Sequence, residues 1–487
     1  MGKSSFRGPL ERINDYCWRI PRSYKPGMRV EGRIYCNEQL LREIRGGQAL
    51  DQVANVAFLP GIQCASLAMP DIHWGYGFTI GGVCATDPDE GGVISPGGVG
   101  YDINCGVRLI RSNLKLEEVR PRLPQLVDAL FRRIPLGVGR GGAYRFDSRE
   151  LKTLLAEGVG FLERRGLATR EDIELTEAGG RLENAEPERV SERALQRGAN
   201  QCGSLGSGNH FLELQVVDEI FDEQAASTMG LDLGGVCVMI HSGSRGLGYQ
   251  VCDDALKMLR GVPGKYGIRL PDSQLACAPV DSFEGRHYLA TMAAAGNFAW
   301  CNRQLLMWQM REVFAEHFGS PWTELGLQLV YDVAHNIAKY EEHVVDGKTK
   351  KVWVHRKGAT RAFPPHHAQI PRKYRAVGQP VMIPGDMGRA SWVLVGRPGS
   401  MAQTFGTTCH GAGRAMSRTA AVRASRGRRI DRELAELGVV VRARSLRGLA
   451  EEQPAAYKDV DLVVDVVQKA GLSQKVARMR PIGVIKG

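Results

Sequence analysis

The sequence predicts an α+β fold in one large domain, and three observations carry that prediction. Short β-like runs and helical patterns alternate without a regular βαβ beat, and no GxGxxG opens a helix, which argues against a Rossmann or P-loop protein. No shift of composition marks a boundary before the Arg-rich stretch 414–447, so 1–487 is read as one domain with helical insertions near 150–200 and 250–320. Glycine makes up 59 of 487 residues, about 12% against a usual ~7%, with no collagen period. That surplus belongs in turns and close backbone approaches, and it favours a site built from loops.

In chain order, β-like runs fall at 107–110 (VRLI), 211–217 (FLELQVV), 236–240 (VCVMI), 327–333 (LQLVYDV), 351–355 (KVWVH) and 392–395 (WVLV). Helical spacing covers 116–134, 150–165, 186–198, 284–317, 414–424 and 473–479. Within 284–317, Leu289, Met292, Ala293, Phe298, Cys301, Leu305 and Trp308 recur at helical spacing. A Met/Trp stripe of this kind reads as core packing rather than a cofactor box. The glycines cluster between these elements, at 75–82, 91–100, 137–142, 203–208, 243–248 and 406–413. The closing run PIGVIKG is apolar and β-like, which predicts a docked tail instead of a frayed one.

Charge and cysteine usage narrow the function. Sixty-four Lys and Arg stand against 53 Asp and Glu, a net +11, which suggests a polyanionic partner: nucleic acid or a phosphorylated small molecule. No stretch of about 20 apolar residues exists, so a membrane span is not expected. The N-terminal MGKSSFRGPLERINDYCWRIP lacks the apolar core of a secretory signal. Eleven scattered cysteines, none in a CxxC pair, read as reduced thiols and a cytoplasmic location.

Four segments place a metal-competent side chain at a strand end beside glycine or asparagine: Asp102-Ile103-Asn104-Cys105-Gly106, Gly208-Asn209-His210, His241-Ser242-Gly243 and Asp332-Val333-Ala334-His335-Asn336. Strand ends let a rigid sheet aim distant residues at one point. One carboxylate, one thiolate and three imidazoles suffice for two metal ions if one ligand bridges, an arrangement suited to displacement at phosphorus. The thiolate favours zinc, while the carboxylate also fits manganese; a lone histidine at any of these places is more often a hydrogen-bonded core residue. A fifth segment, Cys409-His410-Gly411-Ala412-Gly413-Arg414, is expected to lead into a helix whose N-terminus offers N–H donors to an anion. A neutral His410 is a competent nucleophile toward phosphorus, although spacing alone fits an incidental histidine in a turn.

The runs LPGI (59–62), MPDIHWGYGF (69–78), SPGGVGYDINCGVR (95–108), GSGNHFLE (206–213), IHSGSRGLG (240–248), VHRKGATRAFPP (354–365), FGTTCHGAGRAMSR (405–418) and RPIGVIKG (480–487) closely resemble the RtcB family of RNA ligases. The resemblance spans nearly the whole chain. It implies one RtcB-like domain of mixed sheets surrounded by helices, with a metal site at strand ends. It also implies a GTP- and Mn2+-dependent ligase that joins an RNA 3′-phosphate or 2′,3′-cyclic phosphate to a 5′-hydroxyl, in tRNA splicing or RNA repair. By the resemblance Cys105 bridges two Mn2+ ions, one also held by His241 and His335, the other by Asp102 and His210. His410 matches the histidine that takes GMP from GTP. An end-capping or cyclic-phosphodiesterase activity at the same residues is the alternative enzyme reading.

Further contacts follow from the same resemblance. Asn209, His210, Phe211, Leu212, Glu213, His335, Asn336, Pro384, Gly385, Asp386, Met387, Ser391, His410, Gly411, Ala412, Gly413, Tyr457 and Lys486 fall in nucleotide-binding motifs, with the Tyr457 ring placed to stack on guanine. Arg245 and Arg414 are the RNA-binding candidates, and an archease-type activator is a candidate partner. The ten arginines between 414 and 447 make either a phosphate-tracking face or a solvated helical surface. His366 and His367, after a Pro-Pro pair, read as loop residues at a pocket rim. The sequence departs from the family pattern at Asp386 and Arg389, where small hydroxyl residues are expected, and more mildly at Trp74 and Trp392. A carboxylate near a triphosphate repels it unless paired, and Arg389 is the available partner.

Overall fold

The computed structural model describes residues 6–137 and 141–487. The opening MGKSS and the centre of the glycine run 137–142 lie outside the described residues. Two large sheets organise the chain. The first runs Glu11–Asn14, Cys17–Ile20, Glu31–Tyr35, Ala65–His73, Ile80–Thr86, Lys348–Lys357 and Asn336–Val345 in spatial order. The second runs Gln328–Ala334, Gly106–Lys115, Gly235–Ser242, Phe211–Ile220, Ser473–Lys486, Ser391–Gly396 and Pro380–Ile383, and Val440–Ala443 adds a parallel partner to Ser473–Lys486. Both sheets mix parallel and antiparallel pairs, as an α+β fold without βαβ units requires.

Helices cover both sheets. Glu38–Arg45, Ala49–Val56 and Val460–Lys469 pack their apolar faces on the first sheet around Leu40, Leu50, Val53, Val463 and Val467. Leu123–Arg133 and the 36-residue helix Phe283–Phe318 bury Leu126, Leu130, Leu306 and Met310 against the second. The long helix starts where Ser282 Oγ accepts from Gly285 N (3.0 Å) and stops at Gly319, whose φ of 71° ends it in the left-handed region. The expected Met/Trp stripe is buried core except at its end, where Trp308 is half-buried and donates Nε1 to Glu312 (3.1 Å). This helix also carries buried Asn297, Asn302, Arg303, Gln304 and Arg311, a burial that is favourable only where every polar atom finds a partner.

The sequence reading differs from the structure in several places, and it named neither the strand Asn336–Val345 nor the helices Glu38–Arg45, Ala49–Val56, Arg245–Met258 and Val460–Lys469. Residues 473–479 are not helical; they begin the strand Ser473–Lys486. Arg478 and Arg480 point outward while Ala477 and Met479 are buried, a period of two, and Pro481 is accommodated at a register shift between Pro481 and Gly483. The terminal PIGVIKG is thus docked as the end of this strand. The expected helix 414–424 starts only at Arg418, with Ser417 as its cap, so no helix N-terminus stands behind His410. The strands before residue 106 had no counterpart among the β-like runs, being short or interrupted by glycine and proline.

Candidate active site

Four adjacent strands of the second sheet bring their ends together. Gly106 pairs with Ser242 and Ala334, and His241 pairs with Phe211 and Val107. Cys105 therefore precedes one strand, His210 precedes the next, His241 ends a third, and His335 follows the fourth. The turn Asp102–Cys105 is closed by Cys105 N donating to Asp102 O (2.9 Å), with Asn104 at a φ of 52°, a conformation asparagine tolerates better than most residues. Asp102 and Cys105 consequently reach the same side.

The resulting side chains form two triads that share Cys105: Cys105 with His241 and His335, and Cys105 with Asp102 and His210. Cys105 Sγ lies 3.4 Å from His210 Nε2 and 3.3 Å from His241 Nε2, and His241 Nε2 lies 3.3 Å from His335 Nε2. His210 Nδ1 faces the Leu205 carbonyl at 3.0 Å. A carbonyl only accepts, so Nδ1 donates to it, and Nε2 is turned toward Asp102 Oδ2 at 2.8 Å, a contact that needs a proton or a cation between the two atoms. Burial, reinforced by neighbouring histidines, pushes His241 and His335 well below the ordinary imidazole value, into the neutral form that ligates metals. Burial raises Asp102, but the charge and hydrogen bond of His210 outweigh it and hold the carboxyl at about 2. Burial and the Asp102 charge push the Cys105 thiol well up, and a cation held here would reverse that, since a coordinated thiol is deprotonated. Converging lone pairs with few protons to share are what a pair of divalent cations needs, so the residues fit two ions with Cys105 between them.

This cluster is braced from behind. Arg303, fully buried on the long helix, donates to both oxygens of Asp332 (2.8 Å each), to Asn104 O (2.7 Å), to Ser242 O (2.9 Å) and to Asn104 Oδ1 (3.1 Å). Asn336 Nδ2 donates to Asp102 O (3.1 Å), and its Oδ1 accepts from Gly358 N (2.8 Å). Arg245 holds Ser204 Oγ and Gly137 O and acts on Asp102 through its charge.

His410 approaches from the other side. Its ring centroid lies 4.8 Å from that of His335. Its Nδ1 is 2.5 Å from Oδ2 of Asp71, and the same oxygen accepts from His410 N (2.9 Å) and Gly411 N (3.3 Å). Asp71 sits at the end of the strand Ala65–His73, fully buried; burial raises its carboxyl, yet His410 and then Lys458 bring it below the usual range. Lys458 Nζ clamps the neighbouring carbonyls of Pro70 and Ile72. Gly413, at a φ of 72°, passes so close that a Cβ would lie 2.1 Å from Asp71 O. The arrangement puts a proton on Nδ1 and leaves the Nε2 lone pair free of Asp71.

A cavity of about 710 Å³ opens over these groups. Asp102, Cys105, His241, His335 and His410 line it, with Asn209, Phe211, Asn336, Pro384 to Met387, Gly411 to Gly413, Arg414, Tyr457 and Lys486. A second, more open depression of about 850 Å³ shares none of these residues.

Residues 52–487 match the family described as tRNA-splicing ligase RtcB. The chain belongs to the RtcB family. It is 55% identical over 483 residues to the tRNA-splicing ligase RtcB of Archaeoglobus fulgidus, covering 99% of this chain and 100% of that one. The tRNA-splicing ligase RtcB of Thermococcus kodakarensis is 55% identical over 479 residues (98% and 99%), and the RNA-splicing ligase RtcB of Mycobacterium tuberculosis is 54% identical over 438 residues (90% and 100%).

Within this RtcB fold several expected residues take other places. Leu212 does not line the cavity; strand alternation turns it into the core beneath. Glu213 and Ser391 lie behind the wall, joined through Gln215, whose Nε2 donates to Ser391 Oγ (2.9 Å) and Glu213 Oε1 (3.3 Å). Burial pushes the Glu213 carboxyl up to about 8. Lys486, whose ammonium stands 5.7 Å from the Phe211 ring centroid, is pushed down by burial. Arg414 does line the cavity but is engaged by Glu452 (3.1 Å) and lies over the Tyr457 ring at 5.2 Å. Six of the ten arginines between 414 and 447 pair with carboxylates, while Arg423, Arg426, Arg432 and Arg444 make no ion pair among the described residues, Arg444 donating instead to Leu136 O (3.0 Å). Arg389 does pair with Asp386, Nε to Oδ2 at 3.5 Å, yet burial still raises that carboxyl to about 6. His366 and His367 line neither cavity and belong to neither metal triad.

Sequence reasoning missed Asp71, His73 and Lys357. His73 and Lys357 line the cavity, burial lowering them to about 4 and about 7. The available signal for Asp71 was a lone carboxylate inside the apolar run ASLAMPDIH, which is costly unless a partner waits for it.

Proposed function

We propose that the protein is an RNA ligase that uses GTP and two Mn2+ ions to join an RNA 3′-phosphate or 2′,3′-cyclic phosphate to a 5′-hydroxyl, in tRNA splicing or RNA repair. The observation that carries this is His410: an imidazole locked by a buried carboxylate, beside a metal-competent cluster, in the floor of a cavity of nucleotide size. Its RtcB relatives, named as tRNA-splicing and RNA-splicing ligases, support the substrate class. Bound at the two triads, the ions supply charge neutralisation on phosphate oxygens.

The chain's residues then account for the steps. His410 Nε2 attacks the α-phosphorus of GTP; the P–N bond forms, the bond to the β-phosphate oxygen breaks, and pyrophosphate leaves. Asp71 keeps the Nδ1 proton in place and balances the positive charge that the ring gains. A cyclic end is first opened by water to the 3′-phosphate. An oxygen of that 3′-phosphate next attacks the GMP phosphorus, and the P–N bond breaks and restores His410. The RNA 5′-hydroxyl finally attacks the activated phosphate and GMP departs. Activation is needed because a 3′-phosphate repels nucleophiles and its oxygens leave badly, whereas an anhydride has a good leaving group. Tyr457 and Lys486 offer a ring and a donor to the base, and an archease-type protein is the activator we infer for repeated turnover.

The test is covalent labelling with GTP radioactive at the α-phosphate, plus Mn2+, in the native protein and in His410→Ala. Acid-labile, base-stable label that disappears in the variant is expected. No label from folded, metal-loaded protein with any nucleotide would overturn the guanylylation reading.

A further inference from the structure

The mouth of the cavity carries a set of aromatic rings that the steps above do not use. Among the seven tryptophans only Trp74 is exposed, at 57%, and it lines the cavity together with Tyr76 and Tyr101. Tyr76 meets Tyr101 edge to face at 5.9 Å between centroids. Tyr101, the residue before Asp102, stacks on Tyr249 at 4.9 Å with 26° between planes. Tyr249 is 48% exposed on the helix Arg245–Met258, and the Arg197 guanidinium lies over its ring at 5.3 Å. The rings therefore run outward from the metal ligands to the surface.

Single exposed aromatics are ordinary on protein surfaces, but these are held in place. Gly75 exchanges two hydrogen bonds with the Gln52 amide, and Gly77 N donates to Gln274 Oε1. Lys357 Nζ donates to Tyr76 O at 2.5 Å and to Phe78 O at 3.2 Å. The loop is thus rigid while its tryptophan faces water, so stacking on it incurs little ordering cost. The charge around the path suits a polyanion. Arg260 is close enough to act on Tyr76, Arg197 and Arg260 are exposed, and Asp253, the helix acid that acts on Tyr101, is paired with Lys257 at 2.7 Å. Asp272, also near Tyr76, caps the turn at 273–275.

We propose that Trp74, Tyr76, Tyr101 and Tyr249, flanked by Arg197 and Arg260, form a stacking path for the last two or three unpaired bases of the RNA strand being joined. Sequence-tolerant base stacking beside a basic groove is how single strands are held, and this path ends at the metal ligands. The path rests on the RNA-ligase reading and adds the location of the strand.

The experiment measures fluorescence anisotropy of a short labelled single-stranded RNA with a 3′-phosphate, with Mn2+ present, on the unaltered protein and on Trp74→Phe, Trp74→Ala and Tyr249→Ala. The same RNA lacking its two terminal bases is run alongside, and GTP labelling of His410 is measured on each protein. Trp74→Ala and Tyr249→Ala are each expected to weaken binding roughly 5- to 100-fold, as loss of a base–aromatic stack does, with Trp74→Phe retaining most affinity. Removing the terminal bases should weaken the unaltered protein comparably and Trp74→Ala by much less. Equal binding of intact and abasic RNA by the unaltered protein overturns the path while leaving the ligase reading intact. Binding lost in Tyr249→Ala only together with GTP labelling assigns the effect to the centre and likewise overturns it. An unaltered protein that binds neither RNA and takes no label from GTP overturns both.

Discussion

Replacing Asp71 with Asn separates the carboxylate's charge from its shape. All three of its hydrogen bonds, from His410 Nδ1, His410 N and Gly411 N, converge on Oδ2. Asparagine retains an oxygen for the backbone donors and is easier to bury than a carboxylate, so the fold should survive. His410 loses more. If the amide oxygen faces Nδ1, a charge-assisted bond becomes a neutral one, a loss of about 1 kcal/mol. The ring also becomes cationic when Nε2 bonds to phosphorus, and a unit charge about 4 Å away at an effective dielectric near 20 is worth about 4 kcal/mol. If instead the amide NH2 faces Nδ1, the proton moves to Nε2 and blocks the nucleophile.

The transition state for guanylylation should thus lose about 3–5 kcal/mol, a fall of roughly 10²- to 10⁴-fold in rate. Single-turnover labelling at saturating GTP and Mn2+ measures this, with the thermal midpoint as a control expected to stay within a few degrees. A labelling rate within threefold of the native protein would refute the argument, because it would mean the tautomer and charge at Nδ1 do not matter to attack by Nε2.

Cys105→Ala removes the ligand common to both triads, so bound Mn2+, counted by elemental analysis after dialysis, should fall from two per chain to at most one; two retained ions would show that the triads do not share it. Arg303→Lys leaves two of five buried acceptor contacts unmade, and Mn2+ affinity should weaken by about 10- to 100-fold in a calorimetric titration, the usual effect of losing a ligand's support. Asp386→Asn tests the departure at the nucleotide wall. The folded-state value of about 6 lies above the ordinary 3.8, so between roughly pH 4 and 6 the folded chain binds more protons than the unfolded one and stability falls as pH rises. Above pH 6 the full penalty, on the order of 2–3 kcal/mol, is present. The Asn variant should therefore be more stable than the native chain at pH 7.5 and no more stable near pH 4 by denaturant unfolding, and it should bind GTP more tightly.

How far the site was legible in the sequence depended on how local each signal was. The candidate set stood out because Asp102, Cys105, His210, His241 and His335 each occur within two residues of glycine or asparagine, next to or near one end of an apolar run. Asp71 gave no comparable sign, since its role exists only through contact with His410, 339 residues away. The strand Ser473–Lys486 was misread for a related reason. Val476, Ala477 and Met479 suit a helix face until the pairing with Phe211–Ile220 and Ser391–Gly396 decides for the sheet. The stretch after His410 looked like a helix start because small residues precede Arg414, but it is held open by pairing of Arg414 with Tyr457 and by Ala412 N donating to Pro384 O. Family resemblance placed Leu212 in the pocket as part of a continuous motif, whereas strand alternation sends it into the core.

The position of the site follows from where the chain passes from one sheet to the other. Gln328–Ala334 is the edge of the second sheet and Asn336–Val345 the edge of the first, with only His335 between them. The proposed metal ligands therefore come from one sheet while Asp71 belongs to the other, and the ring of His410 meets His335 at the crossing. For the proposed chemistry, His410, fixed through Asp71 to the first sheet, and the cluster at the end of the second must be held to a fraction of an ångström, and the joint is built for that. Asn336 ties Asp102 O on one side to Gly358 N on the other. Arg303 spends its five N–H donors on Asp332, Asn104 and Ser242, the turns that carry or adjoin Cys105, His241 and His335. A guanidinium with every donor satisfied tolerates full burial, and one with fewer partners does not. The costly buried charge and the reactive geometry are thus one arrangement: the cluster can stay rigid because the arginine beneath it has no alternative place to point.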